Sequence, residues 1–317
     1  MGSAAVPSGT YVPSGQQWTI GSGGQRAVIV EVGGGLREYT VDGADVLFGY
    51  GVDELCPAHA GKVLAPWPNR IRDGRYTFDE QTHQLALSEP ARHNATHGLA
   101  CWVRWAPETD NPTDSITVRY DMVPQPGYRW PVVLRTTWSL RPDGLRAEHT
   151  ATNTGPRPCP FGLGAHPYVR IPGVPVDDVR LTIPGRSRLL FDGRMLPIGA
   201  VKVTAGEYDF TTTRVIGGLE LDASYGDLDR DADGGSAVTL AAPDGRTVEV
   251  WADEGFNWWQ VFTGDTLPPA RSRQALAVEP MTCPPDAFRS GRDLVVLEPG
   301  QTWRGSWGIR TAGIAAQ

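Results

Sequence analysis

The sequence predicts an all-β protein, a large antiparallel β-sandwich, and three observations carry that prediction. Apolar and polar residues alternate in short runs. Pro-Asp-Gly triplets join pairs of such runs. No window keeps apolar residues at i, i+3, i+4 and i+7 through three helical turns, and 38 glycines and 27 prolines punctuate the 317 residues.

The elements follow in order. Residues 1–16 are small, polar and glycine-rich and are expected to form a loose arm; residues 17–317 are expected to form one domain, with no internal repeat and no linker inside 17–312. "RAVIVEVGGGLREYTVDGADVLFGY" gives two strands around a triple glycine, with Asp42-Gly43 marking a further turn. "RDGRYTFDEQTHQLAL" gives two short strands across a polar connection. "VVLRTTWSLRPDGLRAEHTATNT" is a hairpin turning at Pro142-Asp143-Gly144, and "AVTLAAPDGRTVEVWAD" repeats the pattern at Pro243-Asp244-Gly245. In "TWRGSWGIR" Trp303, Gly305, Trp307 and Ile309 alternate with their neighbours. Alternating strands at this spacing pack as antiparallel sheets face to face.

Composition narrows the function. The formal net charge is -7, and no basic tail or arginine block offers a footprint for nucleic acid or an anionic membrane. No apolar run approaches a membrane span, and the first residues lack the charge and apolar core of a secretion signal, so a cytoplasmic location is expected. Cys56, Cys101, Cys159 and Cys283 are far apart and unpaired in spacing, which suits buried reduced thiols better than a disulfide framework or a zinc site.

Four stretches carry ionisable or polar groups that packing alone does not ask for. Asn69 and Arg70 follow two prolines; His97 precedes a glycine; His166 in "GLGAHPYVRI" sits between turn residues; Glu279 ends the apolar run Ala275–Val278 before Pro280. A carboxyl continuing a buried strand has its pKa raised by desolvation and is suited to proton transfer near neutral pH. A strand-end acid at a solvated rim would need no such role. His149 alternates with Leu145, Ala147 and Ala151 and reads as packing, while His59, His83 and His93 lie in loop-like stretches and receive no role. Nothing in the spacing of His97, His166 and Glu279 favours a metal over proton transfer. Glycoside hydrolysis would need a second carboxyl opposite Glu279, for which Asp222 and Asp286 are candidates.

With these stretches in order, the chain resembles the aldose 1-epimerase family, the galactose mutarotase-like proteins, over about residues 20–312. "PWPNRIRDGRYTFDEQTHQLAL", "THGLACW", "FGLGAHPYV", "LELDASYGDL", "NWWQVFTGD" and "VEPMTCPPDAF" are similar to family motifs, with Ala165 and Val169 where Asn and Phe are common. The wording "PWPNRI", "THGL" and "GLGAHPY" is similar to the bacterial branch that includes sulfoquinovose mutarotase-like proteins.

The resemblance implies a β-sandwich fold and interconversion of the α and β anomers of a free hexose, without metal or organic cofactor. It implies Glu279 as general base, His166 as general acid, and His97 near the ring oxygen. Arg70, Asp222 and Gln260 would bind hydroxyls, with Asn69 adjoining them. The partner is a free monosaccharide, neutral or anionic, and the protein a monomer or homodimer. Arg72 and Arg170 are either solvated or readers of an anionic group. Of Trp67, Trp102, Trp130, Trp258 and Trp259, one or two are expected to face the sugar and the rest to fill the core. The competing readings are a sugar-binding or sensing protein without turnover, and an epimerase of hexose 6-phosphates.

Overall fold

The structure is a computed structural model that describes residues 11–315. Residues 1–10 of the expected arm lie outside the described residues. Of the remainder, Ser14 is buried and bonds the Tyr50 hydroxyl, while its carbonyl accepts from Val32 N–H.

Two large antiparallel sheets organise the chain. One has nine strands, in the order Ala106–Pro107, Ser115–Met122, Val132–Arg141, Gly144–Asn153, Thr302–Ala312, Thr247–Ala252, Ser236–Ala241, Arg180–Thr182, Arg214–Val215. The other has eight: Pro197–Lys202, Gly185–Phe191, Asp222–Leu228, Trp258–Phe262, Leu276–Met281, Gly164–Ala165 and Val63–Leu64 in line, with Tyr168–Val169 also paired to Leu276–Met281. A separate four-stranded sheet is formed by Gln17–Ser22, Gln25–Val30, Leu36–Val41 and Ala44–Asp45. The α-helical element among the described residues is the single turn Ala287–Ser290, and no helix is long and apolar enough to cross a membrane.

The alternation in the sequence becomes burial. Along Val132–Arg141 and Gly144–Asn153 every second side chain enters the core, and Trp138 meets Trp307 edge-to-face at 5.7 Å. The two Pro-Asp-Gly turns prove different. Arg141 pairs with Gly144, leaving a two-residue connection at Pro142-Asp143, whereas Ala241 pairs with Thr247 across a longer loop. The same triplet thus serves two loop lengths, because the flanking register, not the triplet, sets where pairing resumes.

Leu276–Met281 is buried at every position, in the middle of the eight-stranded sheet. A carboxyl there is held by strands on both sides, and that strand carries Glu279. All four cysteines are free and buried.

Candidate active site

Register assembles the first wall of the site. Ser224 pairs with Gln260 and Gln260 with Glu279, so three polar side chains form a row across three neighbouring strands. Asp222 lies two residues before Ser224 and therefore shares its face. Gln260 Nε2 donates to Asp222 Oδ1 at 2.5 Å, and the Ser224 hydroxyl bonds Gln260 Oε1. The amide is thereby fixed in one orientation. Asp222 is solvent-accessible although protein surrounds it on most sides.

His166 arrives from the strand end beside this row. Val278 N–H donates to Pro167 O and Gly61 N–H to His166 O, which locks the backbone on either side of the ring. Its Nε2 stands 3.4 Å from Glu279 Oε1. Tyr168, two residues on, stacks on the imidazole at 5.1 Å.

The third contribution comes from a small two-stranded sheet, Arg70–Arg72 with Asn94–Thr96. Just beyond it, His97 N–H donates to Asn69 O, and both residues adopt positive φ, 60° and 55°. Gly98 continues at φ 75°, where a Cβ would collide with the carbonyl of Ala65. The glycine after His97 is therefore required by the turn that presents the imidazole. Arg70 grips Glu89 through Nε at 2.8 Å and Nη2 at 3.0 Å, with Asn69 Oδ1 3.4 Å from its Nη1.

Burial controls protonation here. Desolvation first, then the Asp222 charge, holds the Glu279 carboxyl well above the usual carboxylate range against the pull of Arg70. Burial, and then a neighbouring imidazole, lowers His166 to about 3, and burial holds His97 well below the usual imidazole range. Burial also raises Asp222, opposed by Arg70 and the Gln260 hydrogen bond. Among the described residues, Glu279 Oε2, His166 Nδ1 and His97 Nδ1 are buried without a hydrogen-bond partner. Buried polar atoms are seldom left so, and three of them lie together here.

The predicted set therefore comes together: Glu279, His166, His97, Gln260 and Asp222 surround one region, with Asn69 and Arg70 at its edge. Asp286 does otherwise, accepting from Arg72 N–H while its own N–H bonds Arg70 O. Arg72 and Arg170 are engaged by Asp192 and Asp45. Four of the five tryptophans are buried; Trp102 is 48% exposed. His149 packs as expected, bonded to Thr136 and Trp307.

Sequence reasoning missed His59, whose ring centroid is 4.6 Å from that of His97 and 6.4 Å from that of His166. It also passed over Lys62 and Tyr168. Tyr168 carried a usable signal, since i and i+2 of an extended segment share a side with His166.

Comparison with known proteins agrees with this fold. The family model for aldose 1-epimerase matches residues 16–310. The Escherichia coli (strain K12) protein described as "Uncharacterized protein YihR" is 34% identical over 293 residues, 92% of each chain. Among solved structures, the GalM/aldose epimerase homologue from C. elegans superimposes with a TM-score of 0.83 at 18% identity, covering 94% of this chain and 99% of that one. A galactose mutarotase-like protein from Clostridium acetobutylicum gives 0.81 at 17% identity, over 93% and 95%. These structural likenesses speak for the β-sandwich fold. The family match over nearly the whole chain decides membership: this protein belongs to the aldose 1-epimerase family.

Proposed function

We propose that the protein is a mutarotase that interconverts the anomers of a free hexopyranose by general acid–base ring opening and closure. The observation that carries this reading is the Glu279–His166 pair, two buried proton carriers 3.4 Å apart beside a hydrogen-bonding row of Asp222 and Gln260. A protein that only bound sugar would have no use for such a pair.

In the reaction, the Glu279 carboxylate takes the proton from the C1 hydroxyl. The O1 electron pair forms the C1 carbonyl, the C1–ring-oxygen bond breaks, and the ring oxygen takes the proton of His166. Rotation about C1–C2 turns the other carbonyl face to the ring oxygen. Closure then returns both protons and leaves the opposite anomer. The pair holds one shared proton; burial puts it on Glu279 at rest, and ring opening proceeds from the tautomer that carries it on His166, with the same net charge. Each positioned transfer contributes about 10²–10⁴-fold. His97 steadies the ring oxygen, while Arg70, Asp222 and Gln260 bind hydroxyls, with Asn69 holding the arginine.

The engagement of Arg72 and Arg170 with aspartates supports a neutral aldose over an anionic one. The test is anomer exchange by NMR at equilibrium, with glucose, galactose, glucose 6-phosphate and sulfoquinovose. Acceleration over buffer that is lost in Glu279→Gln supports the reading. Binding without acceleration for every sugar overturns it in favour of a sensor.

A further inference from the structure

Three imidazoles, not two, surround the space above Glu279. His59, His97 and His166 form a triangle of ring centroids with sides of 4.6, 5.5 and 6.4 Å. Among the described residues no three donors converge as metal ligands would. His59 has no part in the acid–base pair, and its contacts are rings: His97, His166 and, edge-on at 5.5 Å, Trp102.

We propose that His59 is a substrate-contacting residue that binds a sugar hydroxyl, with Trp102 beside it as an apolar face for the sugar ring. This rests on the mutarotase reading for its reaction and adds a recognition wall that the eight-stranded sheet does not supply.

Four features support it. The side chain is half-buried, and among the described residues no hydrogen bond engages it, so the donor and acceptor of its ring remain free for a ligand. Its backbone is held in a costly conformation, with Ala58 at φ 46° and His59 at φ 56°. Neither is glycine, and two successive left-handed residues persist only where surroundings over-determine them. Those surroundings are present: Ala60 N–H bonds Pro57 O, Lys62 N–H bonds His59 O, Cys56 Sγ lies 3.4 Å from Ala60 O and the Tyr168 hydroxyl 3.5 Å from Ala58 O. The loop is thus built to aim one ring.

Charge is the third feature. Burial, then the nearby charges of Lys62 and Arg70, lowers His59 to about 4, which leaves a neutral imidazole with one N–H and one lone pair. That is the complement of a hydroxyl, which also both donates and accepts. The fourth is Trp102, almost half exposed beside His59. Lys62, wholly buried, donates Nζ to Val32 O and sits 5.5 Å over the Trp102 ring, a cation–π contact that fixes the indole. An exposed indole with a buried cation beneath it offers a face on which the C–H side of a pyranose can stack.

The test uses the full chain with whichever of glucose and galactose it exchanges faster, together with the 2-, 3-, 4- and 6-deoxy analogues. His59→Ala and His59→Phe are each expected to raise KM about 10-fold with kcat within about twofold, the pattern of lost ground-state binding. His59→Gln, which keeps a donor and an acceptor, should recover most of that loss. One deoxy sugar should lose affinity in the wild type and lose no more in His59→Phe, which identifies the hydroxyl. Unchanged KM in both the Ala and Phe variants overturns the proposal, as does a fall in kcat alone with no sugar selectivity.

A second readout separates this from the activity. The His59 ring resonances in a long-range proton–nitrogen spectrum should move on titration with glucose or galactose. If the sugar shifts them while no exchange is catalysed, the mutarotase reading falls and the contact stands. If exchange is fast and these resonances stay still at saturating sugar, the contact is overturned and the reaction stands.

Discussion

His166 Nε2 lies 3.4 Å from Glu279 Oε1, with both side chains more than nine-tenths buried. That separation is long for a hydrogen bond and short for a proton relay through a bound sugar. It leaves the two groups free to address different oxygens of a sugar, as the proposed ring opening requires.

Glu279→Gln removes the proposed proton acceptor and keeps the shape and one hydrogen-bonding oxygen. The expected result is a loss of about 10²–10⁴-fold in kcat with an unchanged unfolding transition. His166→Asn should fall in the same range. Because the pair acts as a unit, the double variant should be little worse than either single one. Exchange rates by NMR at several protein concentrations check this, and near-normal turnover in Glu279→Gln would remove that residue from the chemistry.

The pair also sets the pH profile. Burial raises Glu279 and lowers His166 to about 3, so the state holding one shared proton persists over a wide range. On the acid side the pair fails when it gains a second proton, which burial has made difficult. On the alkaline side it fails when it loses its last one, and the raised carboxyl delays that. With ordinary side-chain values the one-proton window would close near about pH 6.5. The expected kcat is therefore level up to about pH 6.5, with its alkaline fall displaced above the pH at which ordinary side chains would put it. A fall of kcat centred at or below about pH 6.5 would show that the pair titrates as exposed side chains do.

The fold was largely legible because sheets write themselves locally. In Val132–Asn153 the alternation of side chains marks both strands, and Pro142-Asp143-Gly144 marks the turn between them. Glu279 was legible for a related reason: a carboxyl in a strand buried at all six positions stands out. What alternation cannot convey is which loops converge. His59 lies in "CPAHAGK", among alanines and a glycine, and reads as a turn until the 3₁₀ segment Pro57–His59 is seen to place it over His97. The tryptophans failed to discriminate for the opposite reason. All five are large apolar rings near motif residues, and only packing tells the exposed Trp102 from Trp67, Trp130, Trp258 and Trp259.

His149 offers the structural counterpart to His166. The Trp307 indole can only donate, so His149 Nε2 accepts at 2.9 Å, and the remaining proton sits on Nδ1 facing Thr136 Oγ1 at 2.8 Å. His149→Leu leaves a buried indole N–H and a buried hydroxyl without partners, a cost of about 1–3 kcal/mol. Urea unfolding should show that loss while KM and kcat stay at wild-type values. Burial lowers His149 to about 3, so its contribution is full above the unfolded value near 6.5 and is lost as pH falls towards 3. A His149→Leu variant with altered KM would place this ring in communication with the site.

Glu89 is predicted to matter for binding although it touches no reacting atom. It receives Arg70 in a two-pronged contact and is further bonded by Arg92 and Asn94, with side-chain exposures of 17% for Glu89 and 14% for Arg70. Burial alone would raise its carboxyl, but the Arg70 hydrogen bonds and charge, with Asn94 and Arg92, bring it down to about 2. Its stabilisation is therefore complete above the ordinary carboxylate value and fades as pH falls towards 2. Glu89→Gln should cost about 2 kcal/mol in unfolding experiments, the scale of a charge-assisted hydrogen bond in a partly buried pair. It should also raise KM, because Arg70 loses the partner that orients it beside Asn69. If that is the route, Arg70→Met raises KM at least as far, and adding Glu89→Gln to it changes KM no further. Independent, multiplying effects of the two substitutions on KM would instead mean that Glu89 acts on the sugar by a path that does not pass through Arg70.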